Sequence, residues 1–522
     1  MTFVDAVVIP AAGAGSRFNE LGKQYPKCCL PYQEKPIIRH IVERTMHLGK
    51  EVRIITSNQE QEDAIRYALE LNGKIDKEIK FFKVDLSLVQ GPATSLYAGL
   101  HDLDTAIVFL SDAIPVLPDS LDHDANKVYT SIVTDWARWC MVKTVDSNSI
   151  KFFDKPQDRP PTNTAACGVY SLKNVKDYIK AFEDLQHSGE TQFSHVFERM
   201  QYRYGCSFQA PIWNGELLDF GTLSEYIANR SIRKERVFNN ITVNDIGNNT
   251  KIVTKRSTDT AKLMAEASFI QNLPQKYSVY YPRVNSIDVE KSMYTMDYIY
   301  APSLRDIALF LDKSYETWVE IFNSINRFIK LCETSISRES SSYWGSNFLK
   351  NVERLRAANL FLPEIKDKYV RDYAFLENLQ SELSARFGDS RTMYHGDLHF
   401  ANMFYDFNTK QLKLVDPRGE FSGHWFYDMA KLMHSVVGKY DYIDSQLYSI
   451  TSDGEAVYYD KGHEQIIKAF RDVFGEETEL LRKLTASLFL TMIPLHKDNP
   501  TNMRLFYKEY ERLLNAEEKT ND

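Results

Sequence analysis

Cysteine is scarce and unpatterned in this chain. Its six cysteines (28, 29, 140, 167, 206 and 332) among 522 residues form no CxxC pair and no zinc-ligand spacing. That argues against a disulfide scaffold or structural zinc and for reduced thiols, with the vicinal Cys28-Cys29 serving packing. No window of about 18 apolar residues occurs, so no membrane insertion is expected. The opening apolar run, residues 3–12, is short, is interrupted by Asp5 and lacks a basic flank; it reads as a buried strand rather than a signal peptide. Positive charge is not in excess. Sixty-three Lys and Arg against 71 Asp and Glu give a net charge of −8, which argues against a nucleic-acid partner. Internal repeats, low-complexity tracts and a Pro/Gly/Ser-rich linker are also missing. Yet 522 residues exceed one ordinary core, so two or more domains with a short connection are expected. The location expected for such a chain is cytoplasmic, and a homo-oligomer is left open.

What is present begins with Ala6-Val7-Val8-Ile9-Pro10, a continuous apolar run that predicts a strand buried on both faces. It leads into Ala11-Ala12-Gly13-Ala14-Gly15-Ser16-Arg17. Glycines there let backbone N–H groups wrap phosphate oxygens, which makes Ala12, Gly13 and Gly15 candidate nucleotide contacts. A dinucleotide-binding turn would also need an acidic residue near the end of the second strand, and residues 52–56 lead into Ser57-Asn58 instead. With Lys27 in Pro26-Lys27-Cys28-Cys29-Leu30-Pro31 and then Lys35-Pro36-Ile37-Ile38, the stretch resembles the GxGxR, PK-x-x-LP and KP-x-I signature of the sugar-phosphate nucleotidyltransferase family. The resemblance implies a Rossmann-like α/β domain over residues 1–236, a mixed central sheet flanked by helices. It also implies that a phosphate ester attacks the α-phosphorus of a nucleoside triphosphate and expels pyrophosphate. Both reactants are anions, so cations must offset their repulsion; Arg17 and Lys27 are the catalytic candidates.

The same resemblance distributes further roles. Mg²⁺ needs hard oxygen ligands. The candidates are Asp112, after the apolar run 106–110, and Asp219, in a stretch that matches the family's D-x-G-T. Gln90 and Gly91 fall at its nucleobase-contacting turn. Lys155, in Asp154-Lys155-Pro156, and Glu190, in Gly189-Glu190, are expected at the acceptor phosphate and sugar. Asp154 stands where the family has Glu, which leaves hydroxyl recognition open. Trp136 and Trp139 lie in a strand-like run. In the phosphocholine cytidylyltransferase branch an aromatic wall holds a quaternary ammonium by cation–π attraction, which makes Trp139 a candidate; two core aromatics are the other reading.

A second constellation lies in Met393-Tyr394-His395-Gly396-Asp397-Leu398-His399-Phe400-Ala401-Asn402 and, fourteen residues after Asn402, Asp416-Pro417-Arg418-Gly419. An Asp, an Asn and a second Asp in this order are what γ-phosphoryl transfer uses: one carboxylate takes the proton of an attacking hydroxyl, and an amide and a carboxylate hold Mg²⁺ on the phosphates. The spacing resembles the H-G-D-L-H-x-x-N loop of the aminoglycoside phosphotransferase and choline kinase superfamily. The implied fold is a bilobal, protein-kinase-like α+β domain over residues 237–522, with an N-lobe at 237–300 and a C-lobe at 301–522. Asp397 would be the base, Asn402 and Asp416 the metal ligands, and His395 and Asp428 loop braces. A protein-kinase G-x-G-x-x-G loop is absent, as it is degraded in those relatives. Lys255 and Glu266 would meet the ATP phosphates, with Lys251 the competing lysine. Met296 and Tyr298 fall at the adenine hinge. Arg418 could reach a phosphate or an anionic acceptor, or make a structural ion pair, and Trp425 could line the acceptor pocket.

The two halves are chemically complementary. A small-molecule kinase makes a phosphate monoester from an alcohol and ATP, and a nucleotidyltransferase joins such an ester to a nucleotide. The expectation is a bifunctional enzyme with Mg²⁺ at both sites that makes an NDP-activated unit for a surface glycan or lipid headgroup. CTP is favoured as the second nucleotide, because the choline pathway pairs these two family types. A sugar kinase with a UTP- or GTP-dependent sugar-1-phosphate transferase is the alternative. A nucleotide-binding scaffold is the reading of another class, and it predicts eroded catalytic positions that this sequence does not have.

Overall fold

The computed structural model of the chain describes all residues except 1–2, 14, 16–17, 86–87, 89–90, 119–120, 122, 135, 186–191, 232–238, 246, 248–249, 312, 339–341 and 516–522. The chain divides into two units. One comprises residues 1–232 with Tyr448–Tyr458, the other residues 233–447 with 459–522. Among the described residues no helix is long and apolar enough to cross a membrane.

The first unit is α/β, built on a nine-stranded mixed sheet. The apolar run becomes the strand Val4–Pro10, in which Val7, Val8 and Ile9 are fully buried. It pairs in parallel with Gly49–Thr56 on one side and Ala106–Phe109 on the other. Ile79–Lys83 extends the parallel part beyond Gly49–Thr56, and Thr164–Leu172 adds an antiparallel strand next to Ala106–Phe109. After the first strand the chain builds outward in one direction, then returns to the other side. The carboxyl ends of Val4–Pro10 and Ala106–Phe109 therefore flank the switch in strand order, where open α/β sheets bind ligands. The glycine loop after Pro10 and Asp112 both emerge at that edge. A short antiparallel pair, Ala113–Pro115 with Leu217–Asp219, sets Ala113 opposite Asp219.

Two features depart from the expectation. Trp136 and Trp139 lie in a turn, with the Trp139 N–H donating to the Trp136 carbonyl at 3.2 Å, and not in a strand. The preceding strand ends at Ile132 and the next begins at Cys140, so the aromatic spacing marks the connection. Residues 448–458, expected within the second domain, group with the first unit, where the Ile450 N–H donates to the Glu34 carbonyl at 2.9 Å.

The second unit opens on a four-stranded antiparallel sheet in the order Asn239–Asp245, Lys251–Ser257, Met293–Asp297, Val284–Asp288. The helix Thr260–Gln271 packs on it and starts where the Asp259 side chain accepts the Lys262 N–H. The rest is mainly helical, with long members at Tyr315–Glu333, Tyr343–Phe361 and Tyr369–Phe387. The hairpin Met403–Asp406 with Gln411–Leu414 spans the distance between Asn402 and Asp416. Tyr394, Leu398 and Phe400 are buried. Phe400 stacks on Trp318 of Tyr315–Glu333 at 5.7 Å. These apolar residues anchor the loop into the helical core and leave Asp397 partly open, with 42 % of its side chain exposed.

Asp5, the residue that breaks the first apolar run, ties the central strand to its neighbour. Its carboxylate accepts the Thr105 N–H at 3.0 Å, the Thr105 hydroxyl at 3.1 Å and the Asp104 N–H at 3.1 Å. Lys50 lies 2.7 Å away. The Lys50 hydrogen bond leads the causes that hold its carboxyl down at about 2. A depressed folded value stabilises above the unfolded value and is lost as pH falls through the folded one. Asp5→Ala is expected to cost about 1–2 kcal/mol at pH 7. In urea unfolding the gap from the parent should persist at pH 5 and narrow by about pH 3.

Candidate active sites

In the first unit the glycine loop is shaped by contacts far apart in sequence. Gln61, near the start of the helix Gln59–Glu70, donates to the Ala11 carbonyl at 2.9 Å and accepts the Ser57 N–H at 2.7 Å. That bond fixes the Ala11 carbonyl at the start of the glycine loop. A Cβ at Gly22 would stand 2.3 Å from the Gly15 carbonyl oxygen, so only glycine lets the chain lie so close against the loop. Neither Gln61 nor Gly22 carries a sequence signal of this role. Arg17, Gln90 and Glu190 lie outside the described residues. Gly91 caps the helix Pro92–Ala98.

Lys27, Asp112 and Asp219 come together at the sheet edge. Lys27 forms an ion pair with Asp112, both side chains being largely buried. Three carboxylates converge on Gly221. A Cβ there would lie 3.0 Å from Asp219 Oδ1, 3.7 Å from Asp112 Oδ2 and 3.7 Å from Glu225 Oε2. Burial raises the Asp219 carboxyl; the Gly221 N–H pulls it down, and Glu225 and Asp112 push it up again, to about 6. Glu225 is a residue the motif reading omits, although Thr222-x-x-Glu225 is a capping-box pattern. Its carboxylate accepts the Thr222 N–H at 3.1 Å and hydroxyl at 2.9 Å. Among the described residues no three His, Cys, Asp or Glu side chains are arranged to hold a metal. A hard cation at Asp112 and Asp219 would take its other ligands from phosphate oxygens and water, the usual manner of Mg²⁺.

Lys155 and Trp139 form a neighbouring group, with the Lys155 N–H donating to the Trp139 carbonyl at 3.0 Å. Trp139 is half-buried. The Arg138 guanidinium lies 5.0 Å from its ring centre, and Arg138 is ion-paired to Glu225. The cation–π partner of this aromatic is thus the chain's own arginine.

In the second unit Lys255 Nζ lies 2.7 and 2.8 Å from the two Glu266 oxygens and 2.8 Å from Asp416 Oδ1. Tyr294 also donates to Glu266. Lys251, the competing lysine, has its Nζ 5.6 Å from the Tyr298 ring. Burial lowers Lys255, but Asp416 and Glu266 outweigh it and the net shift is upward, so this lysine stays charged. Gly419 has φ +83°, and a Cβ there would lie 2.8 Å from the Glu266 nitrogen. The loop carrying Asp416 can approach the Glu266 helix this closely only with glycine at 419. Met296 sits in the sheet between Val253 and Val284, and Tyr298 lies beyond the end of that strand.

Asp397 is braced from several sides. Lys431 Nζ is 3.0 Å from Oδ1 and His399 Nε2 3.5 Å from Oδ2. Desolvation opposes ionisation, yet Lys431 and His399 hold the carboxyl well below its usual range. Asn402 Nδ2 donates to the Asp397 carbonyl at 2.9 Å and to its carboxylate at 3.3 Å. The amide nitrogen is therefore used on the loop, and the hard amide oxygen remains for a cation. Asp416, at φ +57°, occupies the left-handed region that few residues other than glycine adopt. His395 is buried; its Nδ1 accepts the Asp397 N–H at 3.2 Å, so the proton sits on Nε2, which donates to the Val415 carbonyl at 2.9 Å. Burial pushes this imidazole down to about 4, which suits a brace better than a proton shuttle. Asp428 accepts the N–H groups of His395 at 2.6 Å and Gly396 at 2.8 Å. Trp425 begins the helix Trp425–Val436, its N–H donating to Thr392 Oγ1 at 2.8 Å. Lys431 is missed by motif reading, although it lies one turn after Asp428 on the same helix.

Residues 7–131 match the MobA-like NTP transferase domain family. The chain is 27 % identical over 262 residues to a UTP–glucose-1-phosphate uridylyltransferase of Staphylococcus epidermidis, covering 42 % of this chain and 91 % of that protein. It is 25 % identical over 259 residues to a UTP–glucose-1-phosphate uridylyltransferase of Staphylococcus saprophyticus, covering 42 % and 88 %. Among solved structures it is similar to a UTP-bound UGPase from Acinetobacter baumannii, with 15 % identity, a TM-score of 0.36 and coverage of 44 % of this chain and 92 % of the other. The first unit thus carries a domain of the nucleotidyltransferase type.

The carboxylate cluster gives a pH-dependent expectation. A carboxyl raised to about 6 costs the folded state stability above pH 6, and that cost vanishes below the unfolded value near 4. Asp219→Asn keeps an oxygen for the Gly221 N–H and removes the charge. In EDTA at pH 8 it should stabilise the chain by about 1–2 kcal/mol in urea unfolding, with no gain near pH 4.

Proposed function

We propose that the chain is a bifunctional enzyme: its second unit phosphorylates a small alcohol with ATP, and its first unit transfers a nucleotidyl group to the resulting phosphate ester with release of pyrophosphate. The second unit is read as a bilobal, protein-kinase-like phosphotransferase. The observation that carries this is Lys255, held by both Glu266 and Asp416 in a unit that also presents Asp397 and Asn402. A lysine fixed between these carboxylates suits the α- and β-phosphates of a nucleotide. Asp397, kept ionised by Lys431 and His399, would orient the acceptor hydroxyl and take its proton as the oxygen attacks the γ-phosphorus. His395 and Asp428 hold the loop that positions it.

In the first unit Lys27 would offset charge as the phosphate ester meets the α-phosphorus, and Lys155 would hold the ester's phosphate. Arg17 is assigned beside Lys27 by its motif, with Gln90 and Gly91 at the nucleobase and Glu190 at the acceptor. Asn402 and Asp416 fit one Mg²⁺ and Asp112 and Asp219 another; bound there, the ion neutralises phosphate charge. CTP remains the nucleotide suggested by the fused kinase. The names of the uridylyltransferase relatives support UTP with a sugar 1-phosphate as the second reading. Trp139, its face taken by Arg138, gives little support to a choline-type acceptor.

Incubation with single nucleoside triphosphates and phosphorylated candidates, following pyrophosphate release, tests the first half-reaction; ADP formation with the parent alcohols tests the second. Asp112→Ala should lower pyrophosphate release by about 10³-fold and spare ADP formation, and Asp397→Asn should do the reverse. If both variants keep both activities, the assignment is wrong.

A further inference from the structure

The helix Tyr343–Phe361 carries Lys350 and Arg354 one turn apart, hence on one face. Both are half-buried, and among the described residues neither has an ion-pair partner. They are not isolated. Arg418, two residues past Asp416, lies with its guanidinium 5.3 Å from the Tyr427 ring centre. Its charge acts on both Lys350 and Arg354. Lys431, one turn after Tyr427, reaches Asp397 at 3.0 Å and also acts on Lys350. Arg354 in turn senses Asp397. Two of these four cations, Lys431 and Arg354, act on Asp397, and Lys431, Arg354 and Arg418 act on Lys350. Of the acidic neighbours, Glu420 is exposed and accepts the Tyr394 hydroxyl at 2.7 Å, and Asp428, which acts on Arg418, is buried and holds the N–H groups of His395 and Gly396.

We infer that the phosphoryl acceptor of the second unit is itself an anion: a small alcohol that also bears a carboxylate or phosphate group, held by Lys350 and Arg354. This rests on the phosphotransferase reading above and goes beyond it in naming the acceptor's charge. On the phosphotransferase reading the nucleotide phosphates are served by Lys255 and by the metal-ligand candidates Asn402 and Asp416, so the cations near Asp397 belong to the side where the hydroxyl must lie. Without a ligand the arrangement is costly. Burial and the charges of Arg418 and Arg354 push Lys350 down to about 7, and an anion placed among them relieves that repulsion. A cationic acceptor would add to it. In the first unit the one candidate face for a quaternary ammonium, Trp139, already holds Arg138.

The test uses the full chain with Mg²⁺ and ATP and a matched set of acceptors: glycerol, glycerate, glycerol 3-phosphate and choline. Product is read by ³¹P NMR and ADP formation. A carboxylated or phosphorylated acceptor is expected to show at least about tenfold higher kcat/KM than the neutral and cationic ones, and comparing the two anions tells which group the site prefers. Lys350→Met and Arg354→Gln should each raise its KM about tenfold with little change in kcat, and Arg354→Lys should recover part of the loss. Preferred turnover of glycerol or choline, or a KM indifferent to both variants, overturns the inference while leaving the phosphotransferase reading intact. If no acceptor is turned over, inorganic phosphate is titrated into the ADP-loaded chain. Binding weakened about tenfold by Lys350→Met or Arg354→Gln upholds the anion site, and binding unchanged by them rejects it. ADP formation that survives Asp397→Asn would instead remove the phosphotransferase reading beneath it.

Discussion

Three lysines at the two candidate sites are held by carboxylates. Lys27 pairs with Asp112, Lys255 with Glu266 and Asp416, and Lys431 with Asp397. The constraint behind this is the chemistry of phosphate. Cations must stand ready where anions meet, yet a half-buried cation without a counter-charge is expensive in the empty protein. Pairing it with a carboxylate that is itself needed for metal or proton handling solves both problems with one contact. It also fixes the lysine head before substrate arrives, so little reorganisation is left for the reaction.

Such pairs hold position only if the backbone beneath them is stiff. In the second unit the stiffness comes from one buried side chain on each side of the loop. Asp428 collects two loop N–H groups from below, and His395 bridges the Asp397 amide to the Val415 carbonyl. The latter bond links the loop to the segment that carries Asp416, so the candidate base and one metal-ligand candidate share a brace. Gly419 then allows that segment to press against the helix of Glu266. A change at His395 or Gly419 would thus reach Asp397 or Lys255 without touching a substrate.

Local order was legible in the sequence; long-range convergence was not. The strand before the glycine loop and the strand end before Asp112 follow from apolar runs, because these are contacts between neighbours in the chain. Gln61 acts on the glycine loop from 50 residues away, through tertiary packing that no spacing records. The Trp136 and Trp139 pair misled for a related reason. Aromatic spacing suggests a strand, but Arg138 between them decides what the surface can bind, and its partner Glu225 is 87 residues away. Residues 448–458 group with the first unit although nothing local sets them apart from the second.

The basic cluster shows how far position in a motif can mislead about substrate. The superfamily that the H-G-D-L-H-x-x-N pattern resembles includes choline kinases, enzymes of a cationic alcohol, and the pattern itself says nothing of acceptor charge. Acceptor selection falls to whatever elements the intervening chain supplies, here Tyr343–Phe361 with Lys350 and Arg354. An anionic acceptor also alters the demands on the nucleotidyl transfer. Its phosphate ester would carry two negative groups into that reaction, where a nucleoside triphosphate adds more. Repulsion at that step would be larger than for the phosphate of an uncharged sugar, and Lys27 is already paired with Asp112. A cation bound at Asp112 and Asp219 would free Lys27 from that pair, so metal and lysine would act together on the pyrophosphate side while Lys155 meets the ester. The carboxylates that quiet the lysine in the resting protein are then the same groups that release it when substrate and metal arrive.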